Sequence, residues 1–165
     1  MIMIFAMFHA DIYHGEFMTT CSMRRIVPLA VLLGVAAMVS HGGCGANADQ
    51  QAYDQMATLR TVEDFEAKVV QADRPVLVDF YATWCGPCKR LAPTIGSLAR
   101  EYGDRVDFYR VDVEKADKLA KAMKIQGIPA VFIYANGSKQ SGIVGADRRE
   151  TYAKALDKAI EKMSQ

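Results

Sequence analysis

The sequence predicts an α/β domain, a central mixed β-sheet flanked by helices, over residues 49–165. Three observations carry this expectation. Val76-Leu77-Val78-Asp79-Phe80-Tyr81 is a nearly continuous apolar run of strand length, the pattern of a strand covered on both faces. Leu91, Ile95 and Leu98 then recur at three- and four-residue spacing, as on one face of a helix. Asn136-Gly137, a two-residue hairpin turn, separates two further strand-like runs and adds antiparallel pairing to a sheet that begins as βαβ.

Each element has a local reason. Regular patterning begins near Tyr53. Thr61 followed by Asp64 resembles a capping box, with Asp in place of the usual Glu, and Phe65, Val69 and Val70 follow on a helical face. Pro75 stops that helix ahead of the buried strand. A long helix is expected over residues 85–102, with Pro93 inside it as the source of a kink. Residues 106–112 read as the next strand and 115–123 as a short helix. Gly127-Ile128-Pro129 precedes a strand over 130–134, and the hairpin turn leads to another around 140–144. Residues 148–162 form an amphipathic helix with Tyr152, Leu156 and Ile160 on one face. After the first helix the order is β-α-β-α, then β-β-α.

Composition removes several function classes. The 165 residues carry 20 Lys and Arg against 19 Asp and Glu with no basic block, so a cationic nucleic-acid face is not expected. A hydrophobic fraction of 51% with balanced charge excludes a disordered chain. Four cysteines are too few for a disulfide-stapled miniprotein.

Residues 1–48 read as a targeting segment. Arg24 and Arg25 are the only basic residues before Arg60, and Ile26–Val39 is apolar apart from Pro28 and Gly34. Two charges, this short core and a small-residue exit fit a secretory signal, whereas a buried core helix would carry a polar face and caps. Met23 or Met18 is the expected start, because the residues upstream place Asp11 and Glu16 ahead of the arginines. Two exits compete. Ala46-Asn47-Ala48 fits cleavage after Ala48, releasing a soluble protein from Asp49. Alternatively Cys44, after Gly42-Gly43, resembles the lipid acceptor of a bacterial lipoprotein, with His41 where a Leu-like residue is usual. Either exit predicts an exported domain, periplasmic or held by lipid facing the periplasm, in an oxidising compartment.

Trp84-Cys85-Gly86-Pro87-Cys88 falls where the buried strand ends and the long helix begins. Cys-x-x-Cys pairs serve zinc as well as redox chemistry. Zinc lacks further ligands here, since His9, His14 and His41 all precede the domain and only this pair of cysteines follows Cys44. The same absence removes Cys–His nucleophilic catalysis. Dithiol chemistry remains, with no metal or other cofactor expected. Cys85 sits at a helix N-terminus, where free N–H groups and the helix dipole favour an anion, so a lowered thiol pKa and the more exposed sulfur are expected there. Cys88 lies almost one turn later on the same side, close enough to close a small disulfide ring. Gly86 and Pro87 make a tight, stiff entry into the helix. A purely structural bridge would constrain very little chain, because its loop is so short.

Val78-Asp79-Phe80, Trp84-Cys85-Gly86-Pro87-Cys88-Lys89, Ala92-Pro93, Gly127-Ile128-Pro129, Asn136-Gly137 and Val144-Gly145, in that order, resemble the thioredoxin family over residues 59–160. The resemblance implies the thioredoxin fold and a thiol–disulfide oxidoreductase acting as a protein-disulfide reductase. It implies Cys85 as nucleophile, Cys88 as resolving thiol, and Asp79 beneath Cys88 as its proton acceptor and donor. An unpaired carboxylate inside an apolar strand is costly in itself, and burial raises its pKa. Arg110 stands where many thioredoxins carry a lysine near this aspartate. The resemblance also implies a cis peptide at Ile128-Pro129 and substrate contacts from Trp84, Gly86, Pro87, Ile128, Pro129 and Gly145, with Ala130 lining the same shallow apolar groove.

The implied partners are disulfide-containing protein substrates and an electron-donating thiol reductant. Neither nucleic acid nor a membrane, beyond a lipid at Cys44, is expected as a partner, and the expected state is a monomer. The Gly-Pro pair between the cysteines resembles the reducing branch of the family. Two other readings stay open. One is a specialised reductant for cytochrome c maturation, whose relatives carry an insertion between strand and helix. The other is a non-catalytic thioredoxin-fold module that clamps peptides in the groove.

Overall fold

The structure is a computed structural model that describes residues 44–165. The expected leader, with Met18, Met23 and the arginine pair, lies outside the described residues, and so does the side chain of Cys44.

A five-stranded mixed sheet forms the centre, in the order β1-β3-β2-β4-β5. β2 (Val76–Tyr81) is its middle strand, parallel to β3 (Asp107–Asp112) and antiparallel to β4 (Ala130–Ala135). β1 (Ala57–Thr58) pairs parallel with β3, and β5 (Ser138–Val144) pairs antiparallel with β4. Successive residues of a strand point to opposite faces, so β2 serves two cores. Val76, Val78 and Phe80 join Phe65, Val69 and Leu119 on one face. Leu77 joins Ile95, Leu98, Tyr152 and Leu156 on the other. Asp79 shares the period of Leu77, which directs the carboxylate into this second layer.

α2 (Val62–Phe65) starts as expected, with the Thr61 hydroxyl accepting the Asp64 N–H at 3.0 Å, and it continues as one π-helical stretch over Glu66–Val70. α3 (Gly86–Tyr102) runs through Pro93 unbroken. α4 (Asp117–Ala122) is shorter than the spacing implied, and α5 (Arg149–Met163) follows the expected bounds closely. Asn136 and Gly137 adopt φ of 50° and 69°, the pair of positive values a two-residue hairpin with the sheet's twist requires.

Two elements depart from the expectation. β1 was not foreseen, and neither was α1 (Cys44–Gln55), which straddles the expected boundary after Ala48. Its last turn inserts Tyr53 into the second core, joined just beyond the helix by Met56. The outer side is tied by Arg100 to Asp49 at 2.8 Å. Gly96 of α3 makes this docking geometrically feasible. A Cβ there would stand 1.8 Å from the carbonyl oxygen of Asp49 and 3.0 Å from the nitrogen of Tyr53. The helices therefore meet backbone to helix face at a point where only hydrogen fits.

Candidate active site

β2 ends at Tyr81 and α3 begins at Gly86, so four residues carry the chain from sheet to helix. Cys85 is the N-cap of α3, with extended backbone, and Pro87 occupies the first turn where its missing N–H costs nothing. The Cys85 sulfur accepts the N–H of Cys88 at 3.2 Å. Cys85 and Cys88 are joined as a disulfide, their Cα atoms 5.3 Å apart. The expectation that Cys85 is the exposed sulfur needs correction for this oxidised form, since both cysteines are only 3% exposed. The disulfide packs with Ala82, and Tyr81, Val113 and Ile128 close around it. Gly86 and Pro87 remain at the surface above it.

Asp79 is 1% exposed. Its Oδ2 accepts the Tyr53 hydroxyl at 2.6 Å, while Oδ1 is buried without a hydrogen-bond partner. Burial pushes its pKa up to about 6, against the opposing pull of the Tyr53 hydroxyl and the Arg110 charge. Arg110 is the direct neighbour of Asp79 across the β2–β3 ladder. Its guanidinium lies over the rings of Tyr53 and Tyr81, at 5.0 and 5.6 Å, and 3.6 Å from the Asp54 carboxylate. The arginine thus supplies positive charge near Asp79 without binding it. Asp112, the other buried carboxylate among the described residues, has an ordinary turn role, accepting the Glu114 N–H and facing Lys115.

A cleft of about 490 Å³ opens beside this group, lined by Tyr53, Tyr81, Cys88, Lys89 and Arg110 among others. A larger one, about 760 Å³, is bounded by Gln140, Arg148, Thr151 and Lys158 and touches neither cysteine. Reactive groups rather than size locate the site. Among the described residues no cluster of three His, Cys, Asp or Glu is placed to hold a metal.

The Ile128–Pro129 bond is cis, and the Pro129 carbonyl accepts the N–H of Gly145 at 2.8 Å. Pro129 and Gly145, sixteen positions apart, therefore meet as one surface with Ile128 against the disulfide cluster. Trp84 stands 66% exposed at its rim. Ala130 does not line this groove; it is 1% exposed and belongs to the core with Phe80 and Phe132. Val144, 65% exposed, is the apolar rim residue that sequence reasoning overlooked. Its sequence signal is the Val144-Gly145 pair, and the structure sets Val144, the last residue of β5, opposite Ala130 beside the proline. Nothing in the sequence marks Tyr53 as a site residue, because its segment is mostly polar and carries no apolar stripe.

A bridge across three residues restrains almost no chain, so a disulfide placed at a helix end beside an apolar rim is there for its chemistry. That puts the molecule in the class of thiol–disulfide redox proteins. Residues 56–158 match the family model described as Thioredoxin, and the chain belongs to the thioredoxin family. It is 32% identical over 150 residues to "Thioredoxin M4, chloroplastic" of Arabidopsis thaliana, a match covering 88% of this chain and 77% of that one. It is 36% identical over 105 residues to "Thioredoxin 1" of Synechococcus elongatus, covering 64% and 98%. Among solved structures, oxidised mitochondrial thioredoxin 3 of Saccharomyces cerevisiae superposes with a TM-score of 0.60 at 30% identity, covering 65% of this chain and 98% of that one. As a member of this family the protein is a thiol–disulfide oxidoreductase; thioredoxins act on disulfide-containing protein substrates together with a thiol reductant.

Proposed function

We propose that the protein is an exported protein-disulfide reductase. The observation that carries the reading is Cys85 at the N-cap of α3, its sulfur taking a helix N–H that would equally stabilise a thiolate. The Cys85 thiolate attacks a substrate disulfide, forming a mixed disulfide and releasing one substrate thiolate. Cys88 gives its proton to Asp79 and attacks the Cys85 sulfur, which releases the second substrate thiolate. Two electrons pass to the substrate, and the Cys85–Cys88 disulfide remains for a partner thiol to reduce. Trp84, Gly86, Pro87 and Val144 offer the docking surface, and the Ile128–Pro129 loop with Gly145 offers backbone to an extended segment. The short passage from Tyr81 to Gly86 leaves no insertion of the cytochrome c maturation kind, and the intact dithiol argues against a purely binding role.

Trapping tests the roles. Cys88→Ser incubated with a disulfide peptide is expected to accumulate an adduct on Cys85 that dithiothreitol releases, visible by mass spectrometry. Absence of an adduct, or an adduct elsewhere, would overturn the assignment.

Export rests on the leader composition. An organelle transit segment is usually Arg- and Ser-rich and amphipathic, whereas residues 1–43 hold two arginines ahead of a plain apolar core. Of the two exits, the one at Cys44 keeps α1 whole. Cleavage after Ala48 would put an ammonium group at the positive end of what is left of the helix. Mass analysis of material from the native host is expected to find a lipidated Cys44 or a free Asp49, and recovery of the unprocessed leader would end the proposal.

A further inference from the structure

Tyr53 lies just ahead of residues 56–158, the stretch that the family model matches, on the helix α1 that precedes β1. Yet its hydroxyl reaches across to the carboxylate in the middle strand. We propose that Tyr53 is a positioning residue for Asp79, holding Oδ2 so that Oδ1 is the oxygen available for the Cys88 proton. The inference rests on the reading of Asp79 as proton acceptor and extends it to the residue that orients the acceptor.

Three features support it. A carboxylate with one oxygen held at 2.6 Å cannot rotate freely, and its other oxygen, buried and unpartnered, is the kind of orphan that a fold retains for a reason. Both Tyr53 and Cys88 line the same cleft, so α1 and the second cysteine share one opening. Finally, a hydroxyl donated to a carboxylate favours its charged form, the form that accepts a proton. Tyr53 does not itself act as the acid, because burial and the nearby Asp79 charge hold its proton far more tightly than usual.

The other groups around Asp79 are few. Arg110 faces it from β3 with Asp54 beyond, Tyr81 lies on β2 and Tyr152 on α5, while Val131 opposite it on β4 does not titrate; Cys88 on α3 lines the cleft that Tyr53 and Arg110 share. None of these donates a hydrogen bond to Asp79, so Tyr53 is the group whose loss should register most.

The test uses the full chain carrying Tyr53→Phe, which keeps the ring and removes the hydroxyl. The Asp79 carboxyl titration, followed by carbon NMR, and the ascending limb of turnover against pH are both expected to move up by about one pH unit. Turnover on a disulfide peptide then falls about fivefold at pH 6 and about twofold at pH 7, the ratios of ionised Asp79. The first attack by Cys85 is expected to keep its rate. If Tyr53→Phe leaves the carboxyl titration unmoved, the positioning role is wrong. Asp79→Asn separates the two ideas: turnover equal to the parent across the pH range would sink the proton-acceptor reading itself, whatever Tyr53 does.

Discussion

Asp79→Asn is expected to resist urea better than the parent protein at pH 7, by up to about 3 kcal/mol, while turning over more slowly. The stability half follows from linkage. Burial raises the folded-state pKa of Asp79 to about 6, whereas an unfolded Asp titrates near 3.9. Between those values the native state binds more protons than the unfolded one, so stability falls as pH rises through the window. The stabilising proton is fully present below about pH 4 and lost above about pH 6. At 1.36 kcal/mol per pH unit the full difference is about 3 kcal/mol. An asparagine keeps an acceptor for Tyr53 and never ionises, which removes the loss. The two proteins should therefore converge in stability near pH 4 and separate by pH 7. The kinetic half rests on the proposed role of Asp79 as proton acceptor for Cys88, without which mixed disulfides on Cys85 should persist. Urea unfolding at pH 4 and 7, beside stopped-flow reduction of a disulfide peptide, measures both. A variant less stable at pH 7 yet equally fast would make Asp79 a structural residue.

Gly96→Ala is expected to cost about 1–3 kcal/mol and to release α1 from α3. The added methyl meets backbone, the carbonyl of Asp49 at 1.8 Å, and not the yielding end of a side chain. Relief requires α1 to move as a body, and that withdraws Tyr53 from the core and from Asp79. Hydrogen exchange should show the amides of residues 49–55 losing protection before those of β2 and β4. Unchanged stability and protection in the variant would mean that the close approach is not what holds the helix.

Most of the domain was legible because its elements carry one pattern each. β2 is apolar on both faces since helices cover both, so an unbroken run announces it, and the lone acid inside that run points to Asp79. The hairpin is legible because its two turn residues need positive φ, which Asn136 and Gly137 tolerate. α1 was hidden by the same logic. Its segment Cys44–Gln55 is mostly polar and small, and its anchor in the core is Tyr53, so no apolar stripe marks it. What fixes it is a tertiary device, the missing side chain at Gly96, forty residues on. β1 is two residues long, too short for an alternation to appear. The burial of Cys85 was also out of reach, because it depends on Ile128 and Val113 folding over the disulfide from distant positions.

The two-residue β1 has a further consequence, for aggregation. An exposed strand edge is a template on which a second chain can build, and long apolar edges invite this most. Here the outermost strand on one side is only Ala57 and Thr58, and it covers β3 only at Tyr109 and Arg110. The opposite edge, β5, carries an irregularity in its pairing at Ile133/Tyr134 and a lysine, Lys139, spread over the Phe132 ring. The β5 rim is thus a poor seed for stacking copies into fibrils. The two most exposed large apolar side chains among the described residues, Trp84 and Val144, sit instead at the redox end, so adhesiveness is concentrated where a substrate is meant to arrive.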